Sequence, residues 1–257
     1  MSPEPLSNPS TVEASPRKTA LVTGGAKRIG WSIALALARS GMNVAITYRE
    51  SEELALETAR EIEAEGVQCL ALSMDVRSEE EIRRTVSEVA SAFGRIDVLV
   101  NNAGVIEKAV LGEITLAQWD RMFEVNTRGP FLTAREALPH LKAVRGRIVN
   151  LGSLGGIEPW AAQAHYCSSK AALHMLTLTM AKAFAPEVSV NCVAPGYIEM
   201  HRPGDGPERP IAPSFAARTP MGRNGTAEET AAAVLFFATG PHFVTGQLLG
   251  VDGGLGL

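Results

Sequence analysis

Three side chains in the second half of this chain have the types and spacing for proton transfer. Tyr166 and Lys170 stand four residues apart in AHYCSSKAALHMLTLTMAKAF, which reads as a helix, so they share one face. A phenol titrates near pH 10, too high for easy exchange at neutrality. A nearby ammonium favours the phenolate, and lowering the value by about three units corresponds to roughly 4 kcal/mol of differential interaction. Tyr166 is therefore expected as general acid in a reduction and general base in an oxidation. Ser153 precedes Tyr166 by 13 residues, at the end of a predicted strand. From there its hydroxyl can stabilise a substrate oxygen as charge develops. A serine hydrolase is disfavoured, because Ser153 lies in LGSLGG and not in GxSxG. His165 is expected at the surface or lining the pocket. Chance places many Tyr–Lys pairs at this spacing, so the surrounding elements must decide.

Those elements alternate from Lys18 onward. Strands are predicted at Thr19–Thr23, Asn43–Tyr48, Cys69–Met74, Ile96–Val100, Arg147–Leu151, Val188–Val193 and Gln247–Val251. Helices are predicted at Ile29–Ser40, from the N-cap Ser51 to Glu65, and at Glu79–Phe93, Leu116–Val144, Ala161–Phe184 and Thr226–Ala238. Gly129-Pro130 should kink or break the fourth of these. Seven strands separated by helices imply one α/β domain, a doubly wound, Rossmann-like parallel sheet with helices on both faces. Such folds bind ligands beyond the carboxyl ends of the strands. Residues 1–17, rich in Pro, Ser and Glu, read as a disordered tail, and 18–257 as the dinucleotide-binding and catalytic domain. The Pro/Gly-rich stretch 199–219, with His201, Arg202, Phe215, Arg218 and a short helix near Pro213–Ala217, reads as a substrate lid.

The first strand runs into Thr23-Gly24-Gly25-Ala26-Lys27-Arg28-Ile29-Gly30 and then a helix. Glycines let backbone approach a pyrophosphate, and the helix N-terminus supplies unpaired N–H groups. Gly24, Lys27, Arg28, Ile29 and Gly30 are the expected contacts, with the Arg28 cation near a cofactor phosphate. An NAD site usually carries an acid at the end of the second strand. Here Tyr48 and Arg49 stand there, with Ser51 as a further hydroxyl donor. Arginine suits a 2′-phosphate, so NADP(H) is the expected cofactor. Glu50 is the one acid nearby.

Further segments make a resemblance specific. Asp75-Val76, Asn101-Asn102-Ala103-Gly104, Asn126, Ser153 with Tyr166-x-x-x-Lys170, Pro195-Gly196 and Thr245-Gly246-Gln247…Val251-Asp252-Gly253-Gly254 follow the glycine loop in order. With that loop they resemble the short-chain dehydrogenase/reductase family over residues 18–257. The resemblance implies that Asp75 and Val76 hold the adenine and that Asn102, Ala103 and Gly104 lie along the cofactor. It also implies that Pro195, Gly196 and Ile198 flank the nicotinamide, that Tyr166 and Lys170 contact the cofactor, and that Asn126 holds a water relaying protons to Lys170. Met200 departs from the family, whose threonine there touches the cofactor. Within the family the chain is most similar to 3-oxoacyl-carrier-protein reductases and carbonyl reductases. Arg28 is similar to the loop arginine of pteridine reductases, although those commonly carry aspartate where Ser153 stands. The Tyr–Lys spacing differs from that of enoyl reductases.

The expected activity is reduction of a carbonyl, in a 3-oxoacyl thioester, ketone or similar molecule, to an alcohol with NADPH. The alternatives are a pteridine reductase and a non-catalytic cofactor-binding regulator. Net charge is −4 over 257 residues, which excludes the basic footprint of a nucleic-acid binder. No apolar run reaches transmembrane length, and the first residues lack the apolar core of a secretory signal, so a cytoplasmic protein is expected. Cys69, Cys167 and Cys192 lack metal-ligand spacing and read as reduced thiols. The resemblance implies a homotetramer, or the smaller homodimer, with helices 116–144 and 161–184 at one interface.

Overall fold

The computed structural model describes residues 17–199 and 213–257. Seven strands form one parallel sheet: β1 (Thr19–Val22), β2 (Asn43–Tyr48), β3 (Cys69–Ser73), β4 (Val98–Asn101), β5 (Arg147–Leu151), β6 (Ser189–Pro195) and β9 (Leu248–Val251). Their order is β3-β2-β1-β4-β5-β6-β9. The chain moves outward from β1 to β3, then returns to lay β4 on the other side of β1. That reversal opens a crevice at the carboxyl ends of β1 and β4, where such sheets bind ligands.

Strand periodicity assigns the layers, because successive side chains point to opposite faces. Ala20, Val22, Val98, Val100, Val149 and Leu151 share one buried cluster, and the intervening Leu21, Leu99 and Ile148 belong to the other. The first cluster is covered by α1 (Arg28–Arg39), α2 (Glu52–Ala64) and α8 (Ala227–Thr239), through Ile33, Leu37, Ile62, Val234 and Phe237. The second is covered by α3 (Glu79–Phe93), α5 (Gly129–Ala143) and α6 (Ala164–Phe184), through Ile82, Val86, Leu132, Leu141 and Met180. Each fully buried Leu or Ile contributes about 1.5–3 kcal/mol.

A buried polar chain crosses the second face. Thr133 Oγ1 donates to Asn101 Oδ1 (2.7 Å), Asn101 Nδ2 to Asn150 Oδ1 (2.9 Å), and Asn150 Nδ2 to Thr177 Oγ1 (2.9 Å). It joins α5, β4, β5 and α6 at one level, which fixes the two helices against the sheet. Buried polar groups must pair to avoid a desolvation penalty, so the chain specifies register as well as contact.

The structure departs from the sequence expectations in four places. β4 starts at Val98 rather than Ile96; Asp97 just before it still bonds the backbones of Thr19 and Arg147 (both 2.8 Å), while its carboxylate accepts from the Thr19 N–H (2.9 Å) and pairs with Arg95. The segment 116–144 does not break at Gly129-Pro130. α4 (Leu116–Phe123) passes through a π turn at Glu124–Arg128 into α5, and Pro130 occupies the first turn of α5, where its missing N–H is tolerated. Ser51 stands at the N-cap of α2, but its side chain accepts no capping hydrogen bond. Two short strands, β7 (Ile198–Glu199) and β8 (Gly225–Thr226), pair in a small ladder that strand periodicity did not announce. Of the stretch 199–219, α7 (Pro213–Arg218) is described; Met200, His201 and Arg202 lie outside the described residues, as do 1–16 of the tail.

Candidate active site

The crevice is built around the glycine loop. Thr23 Oγ1 accepts from the N–H groups of Asn102 and Ala103 (both 3.0 Å), and Asn102 Nδ2 donates to the carbonyls of Thr23 and Gly24 (both 2.9 Å). The ends of β1 and β4 are thereby locked together. A Cβ at position 30 would lie 2.3 Å from the Gly24 carbonyl oxygen and 2.5 Å from Asn102 Nδ2, so only glycine fits the first turn of α1. That turn carries no acidic residue and no side-chain cap at Lys27, a setting that suits an anion. Arg28 is held at φ +55°, in the left-handed region, where the similar family pattern has its middle glycine.

The groove has a volume of about 320 Å³ and is walled by Gly24, Lys27, Arg28, Ile29 and Gly30 from the loop. Tyr48, Arg49 and Ser51 wall it at the end of β2, Asp75 and Val76 after β3, and Asn102, Ala103 and Gly104 after β4. These expected cofactor positions line one cavity, together with Ala26 of the same loop, Thr47, Glu50, Met74, Val105 and Val125. The residues fit a dinucleotide phosphate: a cradle that a Cβ would fill, and two arginines at its rim. Arg49 pairs with Glu50 (2.6 Å), so that acid is turned onto the arginine. The Asp75 carboxylate is held below the usual range chiefly by hydrogen bonds from Arg77, 2.6 Å away.

Beyond Gly104 the four residues with chemistry converge. The Tyr166 phenol faces the Ser153 hydroxyl, which accepts from the Gly155 N–H (3.0 Å). Lys170 Nζ lies 6.0 Å from the Tyr166 ring centre and donates to the Leu151 carbonyl (2.7 Å). Asn126, in the π turn, is fully buried. Its Oδ1 accepts from the Val105 N–H (2.9 Å), and its Nδ2 donates to the Val105 carbonyl (2.9 Å) and Ser169 Oγ (3.0 Å). A Cβ at Gly104 would lie 3.3 Å from Asn126 Oδ1 and 3.6 Å from Lys170 Nζ, so this turn passes close over both.

Electrostatics at the pair corrects one expectation. Burial pushes the Tyr166 phenol up to about 12, against the lowering effect of the Ser153 hydrogen bond, and burial brings Lys170 down to about 8. The ammonium faces the Leu151 carbonyl, so the protein's own groups keep the phenol protonated. His165 is also corrected: it is fully buried, one turn before Ser169, and neither ring nitrogen has a hydrogen-bond partner among the described residues.

Pro195, Gly196 and Ile198 close the far side of the site and do not line the groove. The Gly196 N–H donates to the Val251 carbonyl (3.0 Å), and Ile198 pairs with Gly225. Asp252 accepts from the N–H groups of Gly254 (2.9 Å) and Gly256 (3.1 Å), which gives the C-terminal Asp-Gly-Gly a structural role beside Gly196. Trp160 and Tyr197 were not singled out from the sequence. Trp160 stacks on Tyr166 with ring centres 6.1 Å apart, Tyr197 lies 6.1 Å from Trp160, and Phe215 stacks on Tyr197 at 3.6 Å. They form an aromatic wall beside the phenol.

A family model described as enoyl-(acyl carrier protein) reductase matches residues 24–256. The chain belongs to the short-chain dehydrogenase/reductase family. This short-chain dehydrogenase/reductase is 36% identical to the 3-oxoacyl-[acyl-carrier-protein] reductase FabG of Staphylococcus aureus, over 93% of this chain and 98% of that one. Among solved structures it is similar to acetoin dehydrogenase YohF from Salmonella typhimurium, with 34% identity, TM-score 0.85, and 93% and 96% of the two chains covered. It is equally similar in fold to a blue fluorescent protein from a metagenomic library in complex with NADPH, with 33% identity, TM-score 0.85, and 93% and 97% covered. The seven-stranded doubly wound fold expected from the sequence is thus the fold of these relatives. No helix among the described residues is long and apolar enough to cross a membrane.

Proposed function

We propose that this oxidoreductase reduces a carbonyl to an alcohol with NADPH, with Tyr166 as proton donor. The observation that carries the reading is the Tyr166 hydroxyl facing Ser153, one helical turn from Lys170, whose ammonium lies beside Gly104 of the groove wall. Bound NADPH would supply the hydride. Lys27, Arg28, Arg49 and the first turn of α1 would hold its phosphates, with Asp75 and Val76 at the adenine end. Tyr166, kept protonated by burial, gives its proton to the carbonyl oxygen as charge develops there, and Ser153 hydrogen-bonds the same oxygen. Lys170 supplies positive charge beside the phenolate left behind. The Asn126 side chain is tied to Val105 and Ser169, and holding a water would fall to its backbone carbonyl. Pro130, four residues on, has no N–H to donate to that carbonyl.

The NADPH complex of one structural neighbour and the acyl-reductase relatives support both cofactor and carbonyl chemistry. The pteridine reading is not favoured, since those relatives act on acyl groups and Ser153 is present. The four-residue Tyr–Lys spacing supports C=O over C=C reduction. The aromatic wall favours a substrate with a flat or apolar body. A regulator without turnover would not need Ser153 set against the Tyr166 phenol. The reading includes a cytoplasmic location and assembly of four copies.

The test follows NADPH absorbance with acetoacetyl thioesters, aryl ketones, diketones and dihydropterins. Turnover of a carbonyl compound is expected, and Tyr166→Phe should lower kcat about 100-fold or more while NADPH still binds. Tight NADPH binding with no turnover of any carbonyl would sink the reading.

A further inference from the structure

The loop that presents Ser153, Gly152-Ser153-Leu154-Gly155-Gly156, is braced by a side chain from α6. The Ser153 N–H donates to His174 Nε2 (3.3 Å), and the other ring nitrogen faces the Gly156 backbone. One imidazole therefore spans the loop, accepting from Ser153 at one end and lying against Gly156 at the other. This fixes the neutral tautomer with the proton on Nδ1, because an N–H donor needs a bare ring nitrogen opposite it. Space for the ring comes from two glycines. A Cβ at position 152 would lie 2.3 Å from His174 Nε2, and one at position 156 would lie 2.4 Å from Cε1. The outer glycines of LGSLGG thus have a reason that their own sequence does not reveal.

The titratable groups facing the ring are Lys170, one turn earlier on α6, and Cys192 on β6, whose thiol would lie 2.7 Å from the same Gly152 Cβ. Burial pushes Cys192 up to about 11, so it is uncharged at neutrality. Burial first, then the Lys170 charge, holds His174 down to about 4, so its acceptor persists through neutral pH.

We propose that His174 is a positioning residue for Ser153: its imidazole pins the turn that aims the serine hydroxyl at Tyr166. The inference rests on the role given to Ser153 above. Ser153 Oγ already accepts from the Gly155 N–H while facing Tyr166, so a small rotation of the turn would misalign it.

Two substitutions and one background test this. His174→Leu keeps bulk and removes the acceptor. Loss of a well-aimed donor costs about 100-fold or more in rate, so a misaimed one should lower kcat about 10-fold, with NADPH affinity by fluorescence titration unchanged. His174→Gln offers an amide oxygen to the Ser153 N–H and should return most of the lost kcat. In a Ser153→Ala background, His174→Leu should cost nothing further. The melting temperature adds a readout independent of turnover. A histidine whose folded pKa is depressed stabilises fully above the unfolded value near 6.5, and that contribution is lost as pH falls towards 4. His174→Gln should flatten that decline. Wild-type kcat in His174→Leu, a Gln variant as slow as the Leu variant, or an undiminished His174→Leu penalty in the Ser153→Ala background would overturn the proposal. Full kcat in Ser153→Ala alone would instead sink the Ser153 assignment, and the proposal with it.

Discussion

Arg28 combines backbone strain with charge at the mouth of the groove. A non-glycine residue in the left-handed region costs about 1 kcal/mol or more, yet this one sits at φ +55° over the first turn of α1. Arg28→Gly is therefore expected to raise stability by about 1 kcal/mol in urea titration while weakening NADPH roughly 10-fold, the loss of one charge-assisted hydrogen bond. Unchanged NADPH affinity would reduce Arg28 to a tolerated loop residue. Arg49 separates the two nicotinamide cofactors. Its pair with Glu50 is half-exposed and contributes little, so a 2′-phosphate can take the guanidinium over. Arg49→Asp should weaken NADPH about 10-fold to 100-fold and NADH far less; equal losses would contradict the assignment. Lys170 sets a pH limit. Its ammonium is intact below about pH 8 and lost above it, so kcat/KM for NADPH, which reports the free enzyme, should fall as pH rises through that value. A profile flat to pH 10 would show that the charge of Lys170 is not needed.

Among the elements, α8 links stability to the site most directly. Thr226 caps it: its hydroxyl accepts from the Glu229 N–H (3.2 Å), and Glu229 returns a bond to the Thr226 N–H (2.9 Å). Thr226 also lies in β8, whose pairing with β7 holds the Pro195–Ile198 segment. Thr226→Ala should cost about 1 kcal/mol in chemical denaturation and raise the KM for NADPH; a stability loss with KM unchanged would separate cap from site. Elements with local signals were legible in the sequence. α3 has a Ser78 cap that accepts from the Glu81 N–H and a left-handed Gly94 stop, and its bounds agree with the reading. The π turn at 124–128 had no such mark, because Pro130 reads alike as a break or as the start of a new helix. The same holds in the site. The glycine loop and the Tyr–Lys pair are local in sequence, whereas Trp160, Tyr197 and His174 reach their partners only through the order of β5, β6 and α6. Topology, which no short window contains, decides those contacts.

At the scale of the whole molecule, two apolar faces are left uncovered. Leu116, Trp119 and Phe131 on α4 and α5 lie exposed, as do Met175 and Leu178 on α6. A second face runs along β9, the edge strand of the sheet, where Leu248 and Leu249 are exposed, with Phe236 and Phe243 also open. Exposed apolar edges are a pairing hazard for a soluble chain, and patches of this kind mark interfaces. Two faces on one chain fit closed assembly of four copies, each face meeting its own equivalent across a two-fold axis. The parent protein should then give the mass of four chains by light scattering. Met175→Glu would place an unpaired carboxylate in the α5–α6 interface, a cost of several kcal/mol, and should yield two-chain particles held through β9. Leu249→Glu should leave the complementary pair, joined through α5 and α6. Because Tyr166 and Lys170 are buried on α6, and Asn126 in the π turn that leads into α5, the Met175 variant should also lose part of its kcat. A parent protein that runs as a monomer at working concentration would remove the assembly, and with it the reason for leaving both faces apolar.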